Sequence, residues 1–241
     1  MTMKVILGAQ WEWGDVAMRA AQDDNKNIIV VGANAPMLDI KYGLYPFVTS
    51  SDTTIGGLCL NPASITETIG VSKCYTTRSG AFKTEDTGEI GTKLQEIGRE
   101  WETSTGRRHR YGWLDLVIAK YSASIYFYSS LNLTKLDVLV AFETIKIAIT
   151  YKVDGEELDH YPAGLDLLER AEVVYHEMPG WQKPTTGAKS FYDLLKQARE
   201  YVEYIEKFVG VKIGLFFGFL VRMRIKWIGT GPDREAMITR A

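Results

Sequence analysis

The sequence predicts an α/β fold, a mostly parallel sheet with flanking helices. Three observations carry that prediction. Short β-branched runs alternate with longer amphipathic stretches, the order that lays strands side by side beneath covering helices. With 241 residues, 46% hydrophobic and 24% charged, the chain has the composition of a globular protein able to bury a substantial core. Gly- and Thr-rich segments at Thr49–Gly57 and Thr84–Gly91 separate the periodic stretches, and functional groups on such sheets gather in loops of this kind.

In chain order, the expected strands are Lys4–Leu7, Ile28–Val31, Leu114–Lys120, Ile145–Tyr151 and Glu172–His176. Met1–Leu7 is too short and too lightly charged for a secretory signal. Trp13–Lys26 reads as a helix leading into the second strand. Ile90–Trp101 places Ile90, Leu94, Ile97 and Trp101 three and four apart, one face of a helix. Ser190–Phe208 does the same with Phe191, Leu194, Leu195, Ala198, Val202, Ile205 and Phe208, and Gly210 supplies the stop. The apolar run Ile213–Val221 is broken by Gly214 and Gly218 and reaches only about half of the roughly 20 residues a bilayer span needs. No membrane segment is expected.

The 28 basic and 30 acidic side chains give a formal net charge of -2, so no global field draws the chain to nucleic acid or to an anionic membrane. Any phosphate must be met by local groups. Cys59 and Cys74 make no CxxC pair and no metal-ligand cluster with His109, His160 or His176, which suits a reducing, cytoplasmic compartment. His160 and His176 read as ordinary surface or strand residues.

Three segments carry chemistry. In Asn132-Leu133-Thr134-Lys135-Leu136-Asp137 a lysine stands two residues before an aspartate. An ionised carboxylate there accepts from guanine N1–H and from the exocyclic amine together, while the lysine stem lies along the base; a solvated surface loop is the alternative. In Thr103-Ser104-Thr105-Gly106-Arg107-Arg108-His109-Arg110 three arginines and a histidine crowd a glycine turn before a strand. That suits the grip of a small dianion, a dicarboxylate or a phosphate monoester; a solvated basic turn is equally open. Gly32–Ile40 leads into the hydroxyl-rich Tyr45–Thr54, whose groups either donate to phosphate and ribose oxygens or satisfy their own backbone.

Taken in order, GANAPMLDIKYGLYPFVTSSDTT, STGRRHRYGWLD, LNLTKLDVL, PGWQ and KWIGTGPDREAMI resemble the adenylosuccinate synthetase family from about Asn27 to the C-terminus. The opening ILGAQW is similar to the family's first strand. The resemblance implies a P-loop NTPase-like fold, here a single but incomplete domain. It implies GTP-dependent ligation of L-aspartate to IMP (inosine monophosphate), Mg²⁺ as cofactor and a homodimer. It implies that Asn34, Thr49 and Arg107 contact IMP and that Thr103, Ser104, Thr105, Gly106, Arg107, Arg108 and His109 form the aspartate loop. Lys135, Leu136 and Asp137 then read guanine, with Gly229, Thr230 and Gly231 closing over the base.

The sequence also departs from the family. The family's GDEGKGK loop, which holds Mg²⁺ and the GTP phosphates and supplies the catalytic base, is replaced by Glu12-Trp13-Gly14-Asp15-Val16-Ala17-Met18. Asp15 reads better as part of the helix before the GAN segment than as that base, and no catalytic histidine stands in a G-H-N context. No catalytic residue and no metal ligand is therefore assigned. The T-R-x-G loop is shortened at Thr77–Glu85, and His109 stands where the family has an arginine. An internal loss near residues 11–27 and an insertion near 213–224 are expected. The alternative function is a non-catalytic guanine-nucleotide-binding fragment.

Overall fold

A computed structural model describes residues 19–32, 34–50, 52–54, 65–78, 80, 82–101, 106, 108–162, 164–210, 212–216 and 219–240, the backbone alone over 212–222. The expected strand Lys4–Leu7 and Asp15 lie outside these residues. The chain divides into two compact units, Met1–Leu60 and Asn61–Ala241.

In the first unit, residues 19–23 are helical, in line with the end of the helix expected over Trp13–Lys26. The Ile28–Val31 strand does not form. These residues make no ladder, and Ile29, Val30 and Val31 are exposed, so the β-branched run pairs with none of the described residues. Order comes instead from Asp39, which is fully buried. Its Oδ1 accepts from the backbone N–H groups of Lys41 (2.8 Å) and Tyr42 (3.1 Å), and its Oδ2 accepts from the N–H of Thr53 at 2.5 Å. Burial opposes the charge, but these hydrogen bonds outweigh it and hold the Asp39 carboxyl below the usual carboxylate range.

The second unit holds two larger sheets. In the first the order is β1 (Ile69–Lys73), β5 (Ser130–Thr134), β11 (Arg224–Gly229), β12 (Met237–Thr239). The first three strands are parallel, with Gly70 opposite Leu131 and Ile228 opposite Leu133, and β12 is antiparallel. In the second, β6 (Thr144–Val153) pairs in parallel with β4 (Leu114–Asp115) and antiparallel with β7 (Glu156–Glu157) and β8 (Glu172–Pro179). β2 (Thr76–Arg78) and β3 (Arg110–Gly112) make a separate antiparallel pair. β9 (Lys212–Phe216) and β10 (Phe219–Arg222) pair antiparallel, overlapping the 213–224 span expected to be an insertion.

Helices α1 (Glu89–Gly98), α2 (Leu116–Tyr126), α3 (Leu165–Arg170) and α4 (Lys196–Val209) complete the unit. α4 packs on β11 of one sheet and β8 of the other, with Ala198, Tyr201, Val202, Ile205 and Val209 buried, the stripe its periodicity predicts. The strand expected over Leu114–Lys120 stops at Asp115. That carboxylate accepts from the N–H groups of Val117 and Ile118, each at 3.0 Å, and so caps a helix that takes up the rest of the apolar run.

Candidate functional site

The parallel strands β1, β5 and β11 all end on the same side of the first sheet. In an open α/β sheet the carboxyl ends of parallel strands are where loops diverge and ligands bind. Two segments expected to read guanine leave from two adjacent strands there, 134–137 from β5 and 229–231 from β11.

After Thr134 the chain turns sharply. Lys135 has φ 67, in the left-handed region, and a 3₁₀ turn over Leu136–Ala141 follows. Leu136 and Leu139 are fully buried and anchor the turn, so Leu136 is a structural post between two functional candidates. Asp137 is half-buried, and its Oδ1 is shielded from solvent without a hydrogen-bond partner. A carboxylate oxygen left this way costs free energy unless a donor arrives.

The β11 segment lies directly against this loop. A Cβ on Gly229 would stand 3.3 Å from Thr134 Cα and 3.6 Å from the Lys135 nitrogen, so the two segments pack closely and a side chain there would fit tightly. Thr230 is fully buried; its N–H donates to the Ala236 carbonyl at 2.9 Å, yet its hydroxyl has no partner. The Thr230 carbonyl accepts from the Thr185 hydroxyl at 3.0 Å. A Cβ on Gly231 would meet Thr186 Cγ2 at 2.8 Å. Beside this strap lies a cavity of ≈ 230 Å³ lined in part by Thr185, Thr186, Gly187, Asp193 and Leu194. Beneath the loop Cys74 is buried, and burial together with the Asp137 charge pushes its thiol well above the usual range, so it stays neutral.

The third segment is reached through the C-terminal end of α1. Lys135 Nζ donates to the Gly98 carbonyl at 3.3 Å. Two residues on, the Glu100 carboxylate accepts from Lys73 and from the Tyr75 hydroxyl (2.9 Å), and His109 Nδ1 stands 3.9 Å from it. Burial disfavours the Glu100 charge, but the hydrogen bond and charge of Lys73, the Tyr75 hydroxyl and the charge of Lys135 outweigh it and lower its pKa. Burial, reinforced by the Glu100 charge, raises the Tyr75 phenol, which therefore acts as a donor.

Trp101 and Arg108 form an antiparallel bridge, and the Arg108 guanidinium lies 4.9 Å over the Trp101 ring. Gly106 has φ 66, a conformation suited to glycine. Thr103, Ser104, Thr105 and Arg107 lie outside the described residues.

The structure thus brings Lys135, Asp137, Gly229, Thr230 and Gly231 together, with His109 connected to them through α1. Asn34 and Thr49 belong to the first unit: Asn34 is exposed in a bend, and the Thr49 N–H donates to Leu38 O at 2.7 Å. Sequence reasoning missed Glu100, Lys73 and Thr185. No spacing rule marks a lone Glu after a helix, whereas Thr185 stood three residues beyond a recognised PGWQ and was within reach. His160 is exposed and His176 stacks on Tyr204 with ring centres 4.4 Å apart, both in keeping with ordinary roles.

The profile of the family described as adenylosuccinate synthetase matches residues 7–238. Adenylosuccinate synthetase of Fusarium vanettenii is 71% identical over 230 residues, covering 93% of this chain and 53% of that protein. The Pyricularia oryzae protein of the same name is 59% identical, covering 92% and 52%. The solved structure of fully ligated adenylosuccinate synthetase from Plasmodium falciparum superimposes with a TM-score of 0.85 at 37% identity, covering 94% of this chain and 53% of that one. The chain therefore spans about half the length of the relatives it matches. On the strength of that profile, those identities and the shared fold, the chain belongs to the adenylosuccinate synthetase family.

Proposed function

We propose that the chain carries the guanine-reading part of a GTP-dependent ligase that joins L-aspartate to IMP to form adenylosuccinate, in the synthesis of AMP. The observation that carries this reading is the pair of buried, unpartnered oxygens, Asp137 Oδ1 and Thr230 Oγ1, on loops leaving adjacent parallel strands. Guanine presents N1–H and an exocyclic amine where adenine presents a ring acceptor, so an Asp137 carboxylate favours guanine and faces a lone pair with adenine. Lys135 lends its stem to the base face. In the same reading Arg107, Arg108 and His109 hold the aspartate carboxylates, and Asn34, Thr49 and Arg107 contact IMP. The family's name supports the ligase activity in outline; a cytoplasmic homodimer belongs to the same proposal.

Mg²⁺ is the family's cofactor. Among the described residues no three His, Cys, Asp or Glu side chains gather as metal ligands, and residues 11–18 lie outside them. The described residues offer the ion no ligand set, and no step is derived through it. A second reading, a guanine-nucleotide-binding protein without turnover, is favoured by one sequence fact: no GDEGKGK loop occurs in the 241 residues.

Calorimetric titration of the full chain with GDP, ADP and XDP tests the base assignment. GDP is expected to bind at least about tenfold more tightly than ADP, since rejection leaves a buried acceptor unpaired. Equal affinities overturn it. Synthesis of adenylosuccinate separates the two readings.

A further inference from the structure

We propose that Glu100 is a positioning residue that couples the guanine-reading loop to the loop expected to hold a dicarboxylate, so that a dianion on one tightens the base site on the other. The inference rests on the functional reading above and adds a residue to which neither the sequence nor the family resemblance gave a role.

The end of α1 is tied to both loops by separate contacts. Toward the base site, Lys135 Nζ donates to the Gly98 carbonyl at 3.3 Å, and the Lys135 charge acts on Glu100. Toward the dianion loop, Gln95 Nε2 donates to the His109 carbonyl at 3.1 Å, and His109 Nδ1 lies 3.9 Å from Glu100 Oε2 with no hydrogen-bond partner of its own. The segment between the two is held firmly. Glu100 N–H donates to the Tyr111 hydroxyl at 2.8 Å, Arg99 adopts the left-handed conformation that ends the helix, and a Cβ on Gly98 would come within 2.8 Å of the Tyr75 hydroxyl. Lys73, Tyr75 and Thr77 fix the carboxylate itself. Its side chain is only 14% exposed, so solvent screens its interactions weakly.

The groups compete for one carboxylate. A dianion bound by Arg108 and His109 draws the imidazole toward itself and away from Glu100. With the imidazole gone, the carboxylate keeps its hydrogen bonds from Lys73, Tyr75 and Thr77, and its charge acts more strongly on the Lys135 ammonium, which holds the Lys135 stem more firmly along the base. By linkage the base must strengthen the dianion site by the same factor. The coupling runs through a contiguous set of hydrogen bonds and charges, a physical route rather than mere proximity.

The test titrates the full chain with GDP by calorimetry, with and without saturating L-aspartate, for the wild type, Glu100→Gln and Glu85→Gln. Glu85 pairs with Arg110 on the neighbouring strand (3.1 Å), takes no part in the contacts at the end of α1 described above, and serves as the control. L-aspartate is expected to tighten GDP binding about fivefold or more in the wild type and in Glu85→Gln. In Glu100→Gln the change should fall below about twofold, while thermal unfolding shows the variant folded and GDP alone still binds. A purely structural role for Glu100 predicts weaker binding with the coupling factor intact. Coupling that survives in Glu100→Gln, or is absent from the wild type, overturns this inference alone. Failure of the wild type to prefer GDP over ADP overturns the base assignment and this inference with it.

Discussion

Thr185 donates its hydroxyl hydrogen to the carbonyl oxygen of Thr230 at 3.0 Å, and both residues are buried. The bond ties the turn after Trp181 to the segment expected to close over guanine. Replacing Thr185 with Val keeps the shape but leaves the Thr230 carbonyl without that donor, at a cost of about 1–3 kcal/mol. GDP affinity is expected to fall roughly 5- to 100-fold on that scale, and Thr185→Ser should retain most of it. Calorimetry on the three chains reads the effect, and equal affinities would show that the strap does not shape the site.

Asp137 offers a second test because its unpartnered oxygen specifies what the ligand must donate. Asparagine keeps one acceptor and replaces the other with an amine. Xanthine carries a carbonyl where guanine has its exocyclic amine, so Asp137→Asn should weaken GDP by about tenfold or more and strengthen XDP. A parallel loss for both nucleotides would mean that the carboxylate supports the turn and does not read the base.

The residues of the proposed site were named from the sequence, and the limits of that reading have physical causes. Lys135 and Asp137 were singled out because their spacing encodes hydrogen-bonding chemistry, and the unpartnered Oδ1 of Asp137 supports the proposed site over a solvated loop. The helices were legible because α4 carries a full apolar stripe and Gly210 ends it. Leu114–Lys120 misled because a buried apolar run suits strand and helix alike; the deciding signal was Asp115, an N-cap that spacing alone did not flag. Ile28–Val31 had strand propensity but finds no pairing neighbour among the described residues, and pairing is a property of the whole sheet. β8 was found as a strand, yet its antiparallel pairing with β6 makes the second sheet mixed. Glu100 was invisible because its hydrogen-bond partners, Lys73 and Tyr75, come from a distant segment of the chain.

Asp115 gives the second unit a pH signature. Burial pushes its carboxyl up to about 6, against the lowering effect of the Tyr151 hydroxyl and the two helix N–H groups. The folded state therefore holds a proton that the unfolded chain, near its ordinary value of 3.8, has released. The stability this contributes is complete below about pH 4 and is lost as pH rises through about 6. Asp115→Asn keeps the helix cap and removes that slope. The difference in denaturation midpoint between variant and wild type should shift in the variant's favour from pH 4 to 7. A constant difference would show that Asp115 does not titrate there.

Tyr151→Phe tests the same pair from the other side. Tyr151 donates to Asp115 Oδ2, and both burial and the neighbouring carboxylate raise its own pKa, so it remains a donor. Without the hydroxyl, the buried oxygen has no replacement donor, and the loss at pH 7 should be about 1–3 kcal/mol. The loss should shrink near pH 4, where the carboxyl is protonated in the folded state. Urea denaturation at the two pH values decides, and an equal loss at both would mean that packing of the ring, not the charge it supports, is what Tyr151 supplies.

The last prediction concerns turnover by the 241 residues on their own: with GTP, IMP, Mg²⁺ and L-aspartate in excess they are expected to make no adenylosuccinate. Phosphoryl transfer is accelerated by groups positioned around the γ-phosphate, namely a cradle of backbone N–H groups, a metal ion and a base that takes the proton of the nucleophile. In the resemblance drawn from the sequence, these come from the GDEGKGK loop, which is absent from the 241 residues. The features that are present, the turn at Lys135–Asp137 and the basic segment ending at His109, would on the proposed reading contribute binding that is the same in ground state and transition state. Binding of that kind lowers the ligand concentration needed without raising the chemical rate. GDP should therefore bind while synthesis stays at background. Adding the remaining half of a relative as a separate chain is expected to restore product, and the restored rate should fall with Asp137→Asn. Synthesis by the unaided chain, free of host enzyme, would show that its catalytic groups lie among residues assigned no role here, with Asp15 the first to replace.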